Sequence, residues 1–434
     1  MTVIGLDDTD SRERGMCTTY VADTVARRLE AAGASVERTL LVRCNPAVEH
    51  KTRGNAALAI HADADVETAL DVAGDVVGEA AETDDDRTNP GLVVADDAPE
   101  AVPDSIAGFA REAVPDSIAG FAREAVRDHL TRDAAATLVS EVGYRSRGWK
   151  NGRGVIGALA AVGAWRAFDD WTAEYITYRE PDRWGTERDV DYDSVFEAAD
   201  EHYPTVWDTV DRTSGEAVCV PRTPGPVLYG IRGDDPSVCR QVADAIGSEP
   251  VADARTFVTN QGTDAHLRHG TLQGARGGRS YRLDGTVAAP PETRRGGHVF
   301  FPLVDDDAEL QCAAFEPTKR FRDRVRALRP GDRLTVCGEV GDGTLKLEKF
   351  AVRELNRTEL VTPTCPDCNR RMESAGRGQG YRCRDCETTA DGKVERRVDR
   401  DLELGWYEVP PRARRHIAKP LVRGGFDDTT HPEK

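Results

Sequence analysis

A chain of 434 residues is too long for one core of ordinary size, and roughly 100–200 residues per domain gives about two to four domains. Hydrophobic residues make up 39% and charged residues 31%, and no apolar run is long enough to span a bilayer, which excludes an integral membrane protein. The opening MTVIGLDDTD lacks a basic stretch followed by an apolar one, so no secretory signal is expected and a cytoplasmic location is.

The net charge of −18 by itself argues against a nucleic-acid partner, but its make-up changes that reading. There are 45 Asp to 31 Glu, and 50 Arg to only 8 Lys. An Asp-rich, Lys-poor chain fits adaptation to very high salt, where the screening length is about 3 Å at 1 M. Acidity is then a solubility device and says little about partners.

In chain order, residues 2–6 (TVIGL) read as a short buried strand ending in the turn Asp7-Asp8-Thr9-Asp10. Helical periodicity follows over 18–32, strands over 38–44 and 56–61, and a helix over 66–80. Residues 101–112 (AVPDSIAGFARE) repeat identically at 113–124, too short a period for a solenoid, and read as a duplication in a tolerant surface region. An apolar helical segment at 154–164, strands at 172–178, 226–231 and 255–260, and a helix at 235–247 suggest a second, ferredoxin-like unit. From 279 onward five short strands and one helical stretch (FRDRVRAL) suit an OB-type barrel. A Cys-rich segment and a basic, Pro-punctuated tail end the chain. The fold class expected is multidomain α+β: a kinase-like α+β domain over 1–145, a ferredoxin-like domain over 146–275, an OB-fold β-barrel over 278–356, a zinc ribbon over 361–400 and a basic segment over 401–434.

The strongest local signal is Cys365-x2-Cys368-x14-Cys383-x2-Cys386. Two CxxC knuckles give the tetrahedral four-sulfur set that Zn²⁺ favours, with all positions filled by protein, so the metal is structural. The six other cysteines are isolated singles, and Cys17 and Cys44 read as small buried hydrophobes. The second signal is Asp7, Asp8 and Asp10 at a strand end, where ligands gather in α/β sheets. Carboxylates so crowded suit Mg²⁺ shared with substrate phosphates, although an acidic chain has plain acidic turns as well. The GMCTT turn at 15–19 opens a helix with Thr18 and Thr19 placed for phosphate or metal, or simply as caps. Lys51, Arg53, Gly54 and Asn55 follow the second strand, and Lys150 precedes the apolar helix. All are candidates for phosphate contact. Residues 152–157 spell GxGxxG, but no clear strand precedes them, which disfavours a nicotinamide site. Arg412, Arg414, Arg415 and Lys419 form one basic cluster, a candidate RNA contact or a solvated tail.

Taken together, IGLDDTDS…GMCTTY (4–20), KTRGN (51–55), TNPG (88–91), GRGVIGALAAVGA (152–164), YREPDRWGTERDVD (178–191) and TNQGTDAH (259–266) resemble the archaeal 2-agmatinylcytidine synthetases of the minor isoleucine tRNA. The resemblance takes in the barrel and the ribbon and so spans nearly the whole chain; the 12-residue duplication departs from it. It implies attachment of agmatine to C2 of the wobble cytidine (position 34) in the CAU anticodon, with ATP consumed to AMP and the codon read changed from AUG to AUA. It also implies a kinase-type first domain that phosphorylates the cytosine C2 oxygen. Asp7, Asp8 and Asp10 would then hold Mg²⁺ on the triphosphate, and Thr18, with Thr19 as rival, would take a phosphoryl group. Asp264 and the YREPDRW stretch are the candidates for agmatine. The rival readings are another metal-dependent RNA-processing enzyme and a non-catalytic tRNA-binding protein built on the barrel and ribbon.

Overall fold

The computed structural model describes residues 1–51, 54–96, 115–306 and 308–434. Arg53 and the first copy of the repeat, 101–112, lie outside the described residues. The chain is a mixed α/β multidomain protein with a five-stranded barrel and a C-terminal four-cysteine ribbon.

The first half begins with β1 (Thr2–Asp7), α1 (Thr18–Ala31), β2 (Ser35–Arg43), β3 (Ala56–Asp63), α2 (Val66–Ala80) and β4 (Gly91–Asp96). It continues through α3 (Asp116–Arg127), α4 (Arg132–Val142), β5 (Arg145–Gly148), α5 (Val155–Ala167), β6 (Thr172–Arg179) and α6 (Tyr192–His202). A two-residue hairpin, β7 (Val210–Asp211) and β8 (Glu216–Ala217), leads to β9 (Val227–Gly233), α7 (Pro236–Ala245) and β10 (Val251–Thr259). Eight of these strands form one sheet in the order β5-β4-β1-β3-β2-β10-β6-β9.

β1 is an unbroken apolar run because both its faces are covered. Val3 joins the core under α3 and α5, while Ile4 and Leu6 join the core with α1 and α2. Gly5 makes the approach of α5 possible: a Cβ there would stand 2.8 Å from the Ala158 carbonyl carbon. α5 is apolar all round since it lies between the sheet and α3, and burial on all sides is what such a helix requires.

The sheet runs across the boundary expected at 145/146. The parallel pairing of β10 with β2 (Val258 with Leu40) joins the two halves, and α5 lies against strands of the first. The second copy of the repeat is not a surface segment either. It supplies α3, whose Ile118, Phe121, Ala122, Ala125 and Val126 are buried. A strand, β5, does precede the GxGxxG run; its sequence RSRG is fully exposed and carries no apolar signal.

Next come β11 (Leu267–His269), β12 (Arg279–Val287), β13 (Glu292–Thr293), β14 (Val299–Val304), β15 (Glu309–Ala314), α8 (Phe321–Arg326), β16 (Arg333–Gly341) and β17 (Thr344–Glu354). Pairings β12–β14, β14–β15, β15–β17, β17–β16 and β16–β12 close the ring, which removes free sheet edges. A two-stranded stalk of β18 (Thr358–Val361) and β22 (Val394–Arg397) carries the ribbon, built on β19 (Glu373–Ser374), β20 (Tyr381–Arg382) and β21 (Thr389–Ala390).

Part of the segment expected as a basic tail packs into the barrel. β23 (Gly405–Glu408) pairs with β17, and β24 (Thr430–His431) pairs with β23. Trp406 and Tyr407 are buried. Arg414 is 8% exposed and pairs with Asp208, in the bend between α6 and β7, and with Glu408 at 2.9 Å. Arg412 pairs with Glu216 at 2.9 Å, and Arg415 pairs with Glu339 and, at 3.2 Å, with Glu348. These cations tie the segment beyond the ribbon to the barrel and to the chain around the β7–β8 hairpin.

Candidate functional site

A cleft of about 400 Å³ opens at the ends of β1, β2 and β6, beside the N-termini of α1 and α5. Asp7, Asp8, Asp10, Thr18, Thr19, Lys51, Gly54 and Asn55 all line it, so most of the sequence-predicted residues come together.

Asp7 ends β1, and the glycines of α5 bring the helix onto it. A Cβ at Gly154 would lie 2.8 Å from the Asp7 carbonyl oxygen, and one at Gly157 would lie 2.6 Å from the Asp7 carboxyl carbon. Gly154 and Gly157 thus serve the close packing of α5 onto Asp7. Asp8 follows with φ of 60°, a left-handed conformation that costs a non-glycine residue energy. Its backbone N–H donates to Asp7 Oδ1 at 2.7 Å, and its Oδ2 accepts from the Asn89 N–H at 3.0 Å. Asn89 belongs to the TNPG run. Met16 and Asn55 also take left-handed φ of 58° and 50°.

Burial, followed by the charge of Asp8, pushes the Asp7 carboxyl well above the usual carboxylate range. Burial also raises Asp8 to about 6, against the Asn89 hydrogen bond and Arg153, which lower it. Two carboxylates held at such a cost are fitted to a divalent cation, and this donor set suits Mg²⁺. Thr18 opens α1 and is buried; its hydroxyl accepts a 3.1 Å hydrogen bond from Thr9. Lys51 donates to the Pro46 carbonyl, and burial lowers its pKa. Asn55 Nδ2 donates to the Asn45 carbonyl at 2.7 Å. Lys150 stands outside the cleft wall, donating to the carbonyls of Thr83 and Asp85 at 3.0 and 2.6 Å, although its charge still reaches Asp8.

Asp264 is not in the cleft. Its carboxylate holds Lys349 Nζ at 2.7 Å and accepts the Lys419 N–H at 2.7 Å, which makes it a brace between sheet and barrel. Arg179 and Glu249 form a buried ion pair at 2.7 Å, and Trp184 packs edge-on against Tyr20. Sequence reading missed Arg43, Arg153, Glu174 and His416, all on the cleft wall. Arg153 sits inside a motif read for its glycines. The others come from the end of β2, from within β6 and from the returning C-terminal segment, where no local pattern marks them.

A groove of about 710 Å³ shares Arg43, Lys51, Gly54 and His416 with the cleft and runs on between the 46–51 loop and the β16–β17 turn of the barrel. In the ribbon, the four Sγ atoms of Cys365, Cys368, Cys383 and Cys386 lie within 4.8 Å of one another. Among the described residues this is the one group of three or more His, Cys, Asp or Glu side chains so gathered. The set fits Zn²⁺, with no position open for chemistry. No helix among the described residues is long and apolar enough to cross a membrane.

Three family profiles match the chain: TiaS TCKD domain at residues 3–64, TiaS FLD domain at 152–266, and TiaS C-terminal zinc ribbon domain at 362–402. A protein from Haloquadratum walsbyi, named as the 2-agmatinylcytidine synthetase TiaS of the minor isoleucine tRNA, is 52% identical over 100% of both chains. Its namesake from Methanosarcina mazei is 46% identical over 97% of each. A crystal structure of TiaS in complex with that tRNA and ATP superposes with a TM-score of 0.88 at 42% identity, covering 100% of this chain and 99% of that one. The complex of TiaS with the same tRNA, AMPCPP and agmatine gives 0.85 at 40% identity, covering 100% and 99%.

Proposed function

The chain belongs to the TiaS family, the 2-agmatinylcytidine synthetases of the minor isoleucine tRNA, and from that premise we propose how its cleft carries out the reaction. The enzyme uses ATP and attaches agmatine to the wobble cytidine of that tRNA.

The cytosine C2 oxygen is a poor leaving group, and phosphorylating it lets an amine displace it at C2. Phosphoryl transfer is mostly positioning and charge neutralisation. Asp7 and Asp8 would hold Mg²⁺, which supplies charge neutralisation on the phosphates, and Asp10 extends the same acidic wall. Lys51 and Arg153 offset phosphate charge, and Lys150 acts at longer range. Gly54 and Asn55 shape the turn that presents Lys51, with Arg53 beside them in sequence. Thr18, at the α1 N-terminus next to these carboxylates, is the proposed phosphoryl acceptor, with Thr19 its neighbour. ATP ends as AMP in this scheme. For agmatine, Glu174 on the cleft wall is a better-placed carboxylate than Asp264. Residues 1–145 act as the kinase-like unit, 146–275 as the ferredoxin-like unit and 278–356 as an OB-type RNA-binding barrel. The 361–400 ribbon holds Zn²⁺, and the whole works in the cytoplasm, where its tRNA is.

The observation that carries this reading is the meeting of Asp7, Asp8, Thr18 and Lys51 in one cleft. The test is an assay in multimolar KCl with Mg²⁺, ATP, labelled agmatine and a transcript of the minor isoleucine tRNA bearing CAU. Label is expected in the tRNA only when the wobble cytidine is present, with AMP released, and none with Asp8→Ala. Label incorporation undiminished in Asp8→Ala would sink the assignment of the cleft.

A further inference from the structure

The turn that brings Asp7, Asp8 and Asp10 to the cleft also carries Thr9, which is fully buried behind the cleft wall. The segment 82–89 fastens this turn from the back. The Glu82 N–H donates to the Thr9 carbonyl at 3.0 Å, the Thr88 hydroxyl donates to the Asp10 carbonyl at 2.7 Å, and Asp8 Oδ2 accepts the Asn89 N–H. The Thr9 hydroxyl lies 3.1 Å from the Thr18 hydroxyl, its one side-chain partner among the described residues. A buried hydroxyl hydrogen left unpaired is costly, whereas Thr18 lines the cleft and can turn its own hydrogen there. Thr9 is therefore the donor of the pair and Thr18 the acceptor. This direction occupies one lone pair of the Thr18 oxygen and leaves its hydrogen and its second lone pair for the cleft. It also survives phosphorylation. An ester oxygen accepts a hydrogen bond but has no hydrogen to donate, so Thr9 can hold Thr18 Oγ before and after the transfer. Thr19 does not share this partner; its hydroxyl lies 3.1 Å from Cys17 Sγ.

Resting on the reading of Thr18 as the phosphoryl acceptor, we propose that Thr9 is the positioning residue of that step, fixing the Thr18 oxygen relative to the carboxylates of its own turn. In the step, a bond forms between Thr18 Oγ and a phosphorus of ATP. The bond from that phosphorus to a bridging oxygen breaks, and the electron pair departs with that oxygen. The Thr18 hydroxyl proton leaves on the cleft side, to a phosphate oxygen. As Thr18 Oγ loses its proton it gains negative charge, and the hydrogen bond from Thr9 strengthens at that moment. The two threonines are nine residues apart in the chain, and the Gly15 turn lies between them. Without the bond, the register between the acidic turn and the start of α1 would rest on that intervening loop. With it, carboxylates and acceptor are held by adjacent residues of one turn.

The experiment mixes the full chain with its tRNA, Mg²⁺ and ATP in multimolar KCl, without agmatine, and follows phosphate on Thr18 by mass spectrometry of quenched samples. Thr9→Val keeps the shape of the side chain and removes the donor. Thr9→Ser keeps the donor and removes the methyl group. Thr9→Val is expected to phosphorylate Thr18 about 10²-fold more slowly, with the KM for ATP, tRNA affinity and melting temperature little changed. Thr9→Ser is expected to restore most of the wild-type rate, which a purely space-filling role for Thr9 would not predict. A Thr9→Val enzyme with the wild-type rate, a Thr9→Ser enzyme as slow as Thr9→Val, or a loss that follows a raised KM for ATP or a lowered melting temperature would overturn the assignment of Thr9. A wild-type enzyme that attaches agmatine with no phosphate reaching Thr18 at any time would overturn the reading of Thr18 as acceptor, and this assignment with it.

Discussion

Gly157 on α5 faces Asp7 at a distance that leaves no room for a side chain, since a Cβ would lie 2.6 Å from the Asp7 carboxyl carbon. The Asp7 carboxylate is therefore positioned by a missing methyl group. Gly157→Ala is expected to displace it and lower agmatine attachment by about 10²-fold or more, the scale set by ångström misplacements. Alanine also favours helix over glycine by about 1 kcal/mol, so the melting temperature should change little by comparison. A variant with wild-type kcat would show that Asp7 need not sit where it does.

Asp8 combines strained backbone with a buried charge, the pattern of a residue kept for function at the expense of stability. Asp8→Asn keeps an oxygen for the Asn89 N–H. It should abolish activity while stabilising the metal-free protein at neutral pH by on the order of 1–2 kcal/mol, read by urea denaturation. A destabilised variant would contradict this account of the site.

Asp264→Ala removes the partner of Lys349, whose side chain is 1% exposed. Breaking a buried pair from one side costs about 3 kcal/mol. The variant should melt lower, and what activity remains at low temperature should keep its KM for agmatine. A large rise in that KM with unchanged stability would return Asp264 to the agmatine site.

Glu348 is 4% exposed and bonded to His266 at 2.9 Å. Burial opposes its ionisation, but the interaction and hydrogen bond with His266, then Arg415 and Lys349, outweigh burial and hold it down at about 2. The unfolded chain has an ordinary glutamate, so this group's stabilisation is fully present above about pH 4.5. It is lost as the pH falls toward about 2, and amounts to about 3 kcal/mol at most. Denaturation at pH 7, 5, 4 and 3 should show Glu348→Gln losing most of its disadvantage at the acid end. A constant difference would contradict the ion pair.

Zinc analysis should find one ion per chain. Chelation should open residues 362–402 to hydrogen exchange and make Cys365, Cys368, Cys383 and Cys386 alkylatable. The barrel and the large sheet have separate cores and should stay protected. Loss of protection throughout would mean that the ribbon supports the rest.

The parts legible in the sequence were those whose cause is local. TVIGL reads as a buried strand because it is covered on both faces, and the four cysteines declare themselves by spacing alone. The Asp turn and the Thr18 helix start were legible for the same reason. What escaped depends on partners far along the chain. Arg414 looks like a solvated tail residue until Asp208, 206 positions earlier, is placed beside it. The second repeat copy looks like a surface helix until α5 covers its apolar side. The unbroken sheet depends on Val258 meeting Leu40, a pairing that no window of sequence contains.

The ribbon interrupts the barrel's outer sheet, between β17 and β23, and the chain beyond it supplies both the Arg414 tie and His416. In the order of synthesis, then, the cleft acquires its last wall late. A nascent chain that already displays the carboxylates and the threonines still lacks the histidine and the braces that hold barrel to sheet. A truncation before residue 405 would leave β17 without its neighbour and the cleft without its last wall. The cleft is therefore closed only once the segment made after the ribbon has folded back onto it.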